Sequence, residues 1–198
     1  MKPCAFLLIS FWLVLITPAR CYQHRINVIA HRGASSSAPE NTIEAFKLAM
    51  EEGADMLELD VRQTRDSQLV VIHDVTIDRT TDGSGRINDF TYDQLKRFDA
   101  GSWFQNGRFA QARIPLLQDV VDVLDSTTRL LIEIKEGSDE SPGIEQRVLE
   151  CIEDNRLEAR VIIKSFEDGI LATVRRTWPA LLLLKVYVVH LPVIRMTI

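Results

Sequence analysis

From residue 27 onward, short apolar runs alternate with stretches whose apolar positions recur every three or four residues. The runs cover 27–30, 56–61, 69–72, 130–134, 161–164 and 181–189, and their length and β-branched content predict six strands. The intervening stretches read as helices. Asn41-Thr42-Ile43-Glu44 has the composition of a helix cap, Ile43, Phe46 and Met50 share one face beyond it, and Gly53 follows the end. On this reading Asn41 is a capping residue and not a site residue. Thr91 with Gln94 opens a second helix, Val120, Val121 and Leu124 stripe a third, and Ser141-Pro142 opens a fourth bearing Ile144, Val148 and Cys151. Ile170, Leu171 and Val174 mark a fifth. Strands that alternate with helices in this way belong to the α/β class, built on a parallel sheet.

Two stretches depart from the alternation. Residues 62–68 are too few for a crossover helix, so they form either a hairpin or an extended crossing. Fully extended, they reach about 23–25 Å, enough to span a barrel from top to bottom and keep the flanking strands parallel. The chemistry described below favours the parallel arrangement. Residues 74–114, with the turn Thr80-Thr81-Asp82-Gly83-Ser84-Gly85 and the aromatic pair Trp103-Phe104, exceed a simple β/α loop. They predict a partly helical insertion lying over the strand ends, with Trp103 and Phe104 either lining a lipid-side pocket or packing the insertion.

The first residues carry a different signal. Lys2, an apolar run over 5–16 and then Thr17-Pro18-Ala19-Arg20-Cys21 read as a secretory signal over 1–21, cleaved after Ala19 or Cys21. The run falls short of the roughly 18 residues of a membrane span. The mature domain would then cover 22–198 in a secreted, periplasmic or lumenal protein, with a retained N-terminal membrane anchor as the alternative. Cys4 and Cys21 lie in the leader, which leaves Cys151 without an internal disulfide partner. Its place on the apolar stripe of the fourth helix points to packing and not to nucleophilic chemistry.

Composition narrows the class. With 46% hydrophobic and 26% charged residues, the chain is an ordinary globular domain, neither disordered nor collagen-like. A net charge of -5 argues against a nucleic-acid partner bound by broad phosphate neutralisation. A phosphate-bearing small molecule would need a few local cations or a metal.

Side chains two apart on a strand share a face, so Glu58 points with Asp60, and Glu133 with Lys135. Taken singly, either pair reads equally well as a salt-bridged rim facing solvent. Together with two histidines they converge. His31 follows the first strand and His73 the third, the carboxyl ends at which β/α barrels collect catalytic groups, and imidazole titrates near neutrality. Gly33 allows a sharp turn beside them. Arg32 is suited to gripping a phosphate oxygen and Lys135 to adding a point charge, although both could instead pair with carboxylates.

His31-Arg32-Gly33, Pro39-Glu40-Asn41-Thr42, Glu58-Leu59-Asp60-Val61, His73-Asp74, Asp78-Arg79-Thr80-Thr81-Asp82-Gly83 and Glu133-Ile134-Lys135 together resemble the glycerophosphodiester phosphodiesterase family, in order and over roughly 28–166. The resemblance implies a distorted (β/α) TIM-type barrel of PLC-like phosphodiesterase architecture, hydrolysing a glycerophosphodiester to sn-glycerol 3-phosphate and an alcohol. It implies Glu58, Asp60 and Glu133 as ligands of a divalent cation, His31 and His73 as the acid/base pair, and Arg32 and Lys135 as phosphate holders. Three carboxylates form a hard oxygen site suited to Ca²⁺ or Mg²⁺. The attacking group is water or the substrate's own glycerol hydroxyl, and either histidine could act first.

Two other readings compete. One is a lysophospholipase D or sphingomyelinase D-like enzyme, whose lysolipid substrate would bring contact with a membrane surface. The other is a catalytically silent metal-binding domain. An eight-stranded β/α barrel takes about 250 residues, and about six of eight strands are legible here, with 190–198 too short for two further β/α units. The expectation is a chain short at its C-terminal end, poorly soluble and weakly active alone.

Overall fold

The computed structural model describes residues 26–137 and 140–187. The predicted leader, the end of the run 181–189 and the tail after it lie outside the described residues. Six strands form one sheet: β1 (Ile29–His31), β2 (Met56–Gln63), β3 (Leu69–Val71), β4 (Arg129–Ile134), β5 (Val161–Ser165) and β6 (Leu182–Lys185). Five of them run parallel in the order β1-β2-β4-β5-β6. Among the described residues the sheet is open, with β1 and β6 at its edges.

The sheet's two faces divide the labour. Leu57, Leu59 and Val61 of β2, Leu130, Ile132 and Ile134 of β4, and Val161 and Ile163 of β5 are buried on the outer face. They form one core with helices α1 (Ile43–Glu51), α3 (Leu117–Val123), α4 (Ile144–Asp154) and α5 (Asp168–Thr177). On the opposite, inner face Met56, Leu131 and Ile162 make a small apolar layer. One step further along the strands the inner positions become charged, with Asp60 level with Glu133 and Glu133 level with Lys164. The period of two thus separates a packing face from a chemical one.

The connection 62–68 is a hairpin, which corrects the parallel arrangement expected for the third strand. β3 pairs antiparallel with the far end of β2, Val61 opposite Val71 and Gln63 opposite Leu69. Thr64 closes the turn. Its hydroxyl accepts from the Gln68 N–H at 2.9 Å and donates to Asp66 Oδ1 at 2.6 Å, with Ser67 in the left-handed region. Because β2 is long, the hairpin carries the chain past the end of β4 and then back, and Ile72 N–H donates to Asp60 O at 2.9 Å. His73 is thereby returned to the level of the β2 carboxylates without a crossing.

The α1 cap also differs from expectation. Thr42, not Asn41, is the N-cap, its hydroxyl accepting from Ala45 N–H at 3.3 Å. Asn41 is left-handed (φ 57°), buried, and turned toward Asp60. The loop before α1 depends on Gly33 (φ 78°), where a Cβ would meet the Ala45 backbone at 2.7–2.9 Å.

Residues 74–114 hold a single helical turn, α2 (Tyr92–Leu95), between the 3-10 turns Ile87–Asp89 and Gln105–Gly107. Gln94 Oε1 accepts from Thr91 N–H at 2.9 Å, as the sequence predicts. The segment has its own core of Ile77, Ile87, Leu95, Ala100 and Ile114 against Val70 and Ile72. Trp103 stays outside this core, 41% exposed, and stacks edge-on against Phe104. Cys151 packs half-buried against the main core, and burial, with Asp154 and Asp122 nearby, pushes its thiol up to about 11. That is the inert packing role expected of it.

Candidate active site

Glu58, Asp60 and Glu133 are at most 3% exposed. A ligand oxygen from each lies within 4.8 Å of the others. Buried carboxylates this close repel one another and cost several kcal/mol each unless countercharged. Three cations supply the charge. Lys135 Nζ bonds Glu133 Oε1 and lies 3.6 Å from Asp60 Oδ1. Arg32 Nε lies 3.4 Å from Asp60 Oδ2. Lys164 Nζ contacts Glu58 Oε1 at 2.7 Å and Glu133 Oε2 at 2.8 Å. Burial alone would raise the Glu133 carboxyl, but hydrogen bonds from Lys135 and Lys164 outweigh it and hold the group below its ordinary value. Burial would likewise lower Lys164, yet its charge contacts with Glu133 and Glu58 leave it raised.

His31 ends β1 beside Glu58, its Nε2 3.8 Å from Glu58 Oε2, with the ring 63% exposed. The next main-chain N–H, that of Arg32, donates to the same oxygen at 2.9 Å. Arg32 itself is left-handed (φ 58°), strained for a residue with a Cβ. Its carbonyl accepts from Asn41 N–H at 3.0 Å, and Asn41 Nδ2 donates to Asp60 Oδ2 at 2.9 Å. Two strained residues, clasped together, therefore hold two of the three carboxylates. Asn41 Oδ1 is buried and has no hydrogen-bond partner.

His73 belongs to a neighbouring network. Its Nδ1 lies 2.6 Å from Asp74 Oδ1, while Arg79 Nε donates to Asp74 Oδ2 at 2.6 Å. Arg79 also grips Glu40 with two bonds of 2.7 and 2.8 Å, and Glu40 accepts from Arg32 at 2.9 Å. A chain of charged contacts thus runs from His73 through Asp74, Arg79, Glu40 and Arg32 to Asp60. The Arg79 guanidinium, against burial and helped by His73, holds the Asp74 carboxyl at about 2. Arg62 donates to the His73 carbonyl at 2.9 Å and pairs with Glu136, fixing the backbone that carries the ring.

All seven residues singled out in the sequence fall in this region, six around the triad and His73 at the far end of the network. Arg32 and Lys135 both pair with carboxylates, the alternative left open for them. Several contributors received no site role from the sequence. Asn41 was absorbed by its capping role, and Glu40 and Arg79 lie in loops whose approach is set by the fold. Lys164 offered one usable signal, a lone cation ending an otherwise apolar strand, but its register against Glu133 is a tertiary fact.

A model of the glycerophosphoryl diester phosphodiesterase family matches residues 31–194. A glycerophosphodiester phosphodiesterase of Caldanaerobacter subterraneus subsp. tengcongensis is 50% identical over 155 residues, covering 78% of this chain and 63% of that protein. The crystal structure of a glycerophosphodiester phosphodiesterase from Agrobacterium tumefaciens superposes with a TM-score of 0.73 at 32% identity, over 80% of this chain and 66% of that one. An Oleispira antarctica phosphodiesterase, solved in complex with the product sn-glycerol-3-phosphate, gives 0.74 at 31% identity over 80% and 64%. The chain therefore spans somewhat under two thirds of the length of these relatives.

Proposed function

The chain belongs to the glycerophosphoryl diester phosphodiesterase family, and from that premise we propose that its carboxylate site hydrolyses a glycerophosphodiester to sn-glycerol 3-phosphate and an alcohol. The observation that carries this reading is the buried cluster of Glu58, Asp60 and Glu133, set beside His31 and Arg32 at the carboxyl ends of parallel strands. The name of the Oleispira relative's bound product supports the choice of substrate.

The donor set fits a hard divalent cation, Ca²⁺ or Mg²⁺. It offers three carboxylates, and the unpartnered Asn41 Oδ1 adds a neutral oxygen beside Asp60. Bound there, such an ion would neutralise the phosphodiester and the charge that grows on it in the transition state. Arg32 and Lys135 stand around the same oxygens and would hold the phosphate. His31, exposed beside Glu58, would exchange a proton with a group entering from solvent. With Asp74 accepting from Nδ1–H, His73 keeps Nε2 free to take or deliver the second proton. Secretion through the predicted leader would place this activity outside the cytosol.

The test is product analysis. Incubation with glycerophosphocholine, glycerophosphoinositol and lysophosphatidylcholine should release glycerol 3-phosphate from the first two, with His31→Ala and His73→Ala each slowing turnover roughly 100-fold or more. Cleavage of lysophosphatidylcholine alone would make the protein a lysophospholipase D, and turnover of none would leave a silent metal-binding domain.

A further inference from the structure

We propose that Lys164 is the exchangeable counter-ion of the carboxylate triad, so that a bound divalent cation and the Lys164 ammonium exclude one another and Lys164 sets how tightly the metal is held. The inference rests on the reading of the triad as a metal site.

Each of the six triad oxygens faces a protein donor or cation. Glu58 Oε2 accepts from Arg32 N–H, Asp60 Oδ2 from Asn41, and Asp60 Oδ1 and Glu133 Oε1 face Lys135. Lys164 takes the remaining two, Glu58 Oε1 and Glu133 Oε2. A cation entering among these carboxylates must therefore claim oxygens already engaged. The contacts differ in how readily they yield. Arg32 donates from the main chain, and Asn41 is fixed by its own backbone bond. Lys135 has the Phe166 ring as a second seat for its charge, 5.7 Å from Nζ. Lys164 instead reaches from β5 across β4 to β2, and both of its ion pairs are to proposed ligands on two different strands. A point charge on a flexible four-carbon stem is suited to leaving, and like charges sharing two oxygens repel strongly at this depth. In its paired position the ammonium bridges Glu58 on β2 and Glu133 on β4, which pre-forms the site. When a metal takes those oxygens, the same charge opposes it.

The experiment is calorimetric titration of the 198-residue protein with Mg²⁺ and with Ca²⁺ at about pH 8, well above the ordinary carboxylate range. Lys164→Met should bind the ion roughly tenfold or more tightly than the unaltered protein, and its chelator-treated form should melt at a lower temperature. Lys164→Arg should stay within about threefold. An unchanged or weaker affinity in Lys164→Met would overturn the proposal. Absence of binding by the unaltered protein would overturn the metal reading itself, a distinguishable failure. Should Lys164→Met fail to fold, reductive methylation of the unaltered protein read by peptide mass spectrometry serves instead. Modification of Lys164 should rise several-fold when Mg²⁺ or Ca²⁺ is added, and an unchanged yield would contradict the displacement.

Discussion

Asn41 and Thr42 are adjacent, and the fold gives them separate tasks. Thr42 caps α1, so Thr42→Ala should cost about 1 kcal/mol in thermal or denaturant unfolding with turnover kept. Asn41 gives its amide to Asp60 from a left-handed backbone, so Asn41→Ala should both destabilise, by about 1–3 kcal/mol, and lower turnover. If the two variants lose stability alike and both keep turnover, Asn41 has no part in the site. The sequence blurred this pair because capping needs only a short polar side chain, and both residues have one. The carboxylates were legible because strand alternation alone puts Glu58 with Asp60. Lys164 was not, because its partners lie on strands 31 and 106 positions away by sequence number. The outer network carries a pH signature. Asp74, held at about 2 by Arg79 and His73, contributes stability that is complete above its ordinary value near 3.8 and is lost as pH falls toward 2. Glu40 is depressed in the same direction, its bonds from Arg79 and Arg32 outweighing burial. Arg79→Met should therefore move the midpoint of acid unfolding, followed by circular dichroism, to higher pH. An unmoved midpoint would remove the network from the stability account.

At the scale of elements, the five parallel strands were readable from apolar runs, while the direction of the third was not. Seven residues suffice for a hairpin or for a crossing, and the deciding features are the Thr64 turn and the length of β2, which sequence periodicity leaves open. The sheet edges left open among the described residues have consequences of their own. Leu182 and Leu184 belong to the inner face by register with Ile162 and Lys164, yet they are 53% and 43% exposed. At the opposite edge Val28 and Ile29 are at least half exposed. Exposed apolar edges of this kind pair with other chains. Light scattering after size exclusion should find the 198-residue chain self-associated, with Leu182→Lys shifting it toward monomer. A monodisperse monomer would show that these edges are covered in solution.

Over the whole molecule, negative charge dominates the chain, while three basic side chains are concentrated on a triad of carboxylates. The site is assembled from β1, β2, β4 and β5, the loop before α1, and a network reaching the loop after β3. Its proposed chemistry accordingly requires the sheet to be formed, and the inner face to switch from apolar to charged within one layer. The central claim is that the triad holds the divalent ion on which hydrolysis depends, and the most direct measurement is metal-titrated turnover. Protein stripped with chelator is assayed for glycerol 3-phosphate release from glycerophosphocholine as Mg²⁺ or Ca²⁺ is added back, beside Glu133→Gln treated identically. The account predicts negligible turnover in chelator, recovery that saturates on adding the ion, and little recovery in the variant. Full turnover in chelator, or equal recovery in Glu133→Gln, would contradict it.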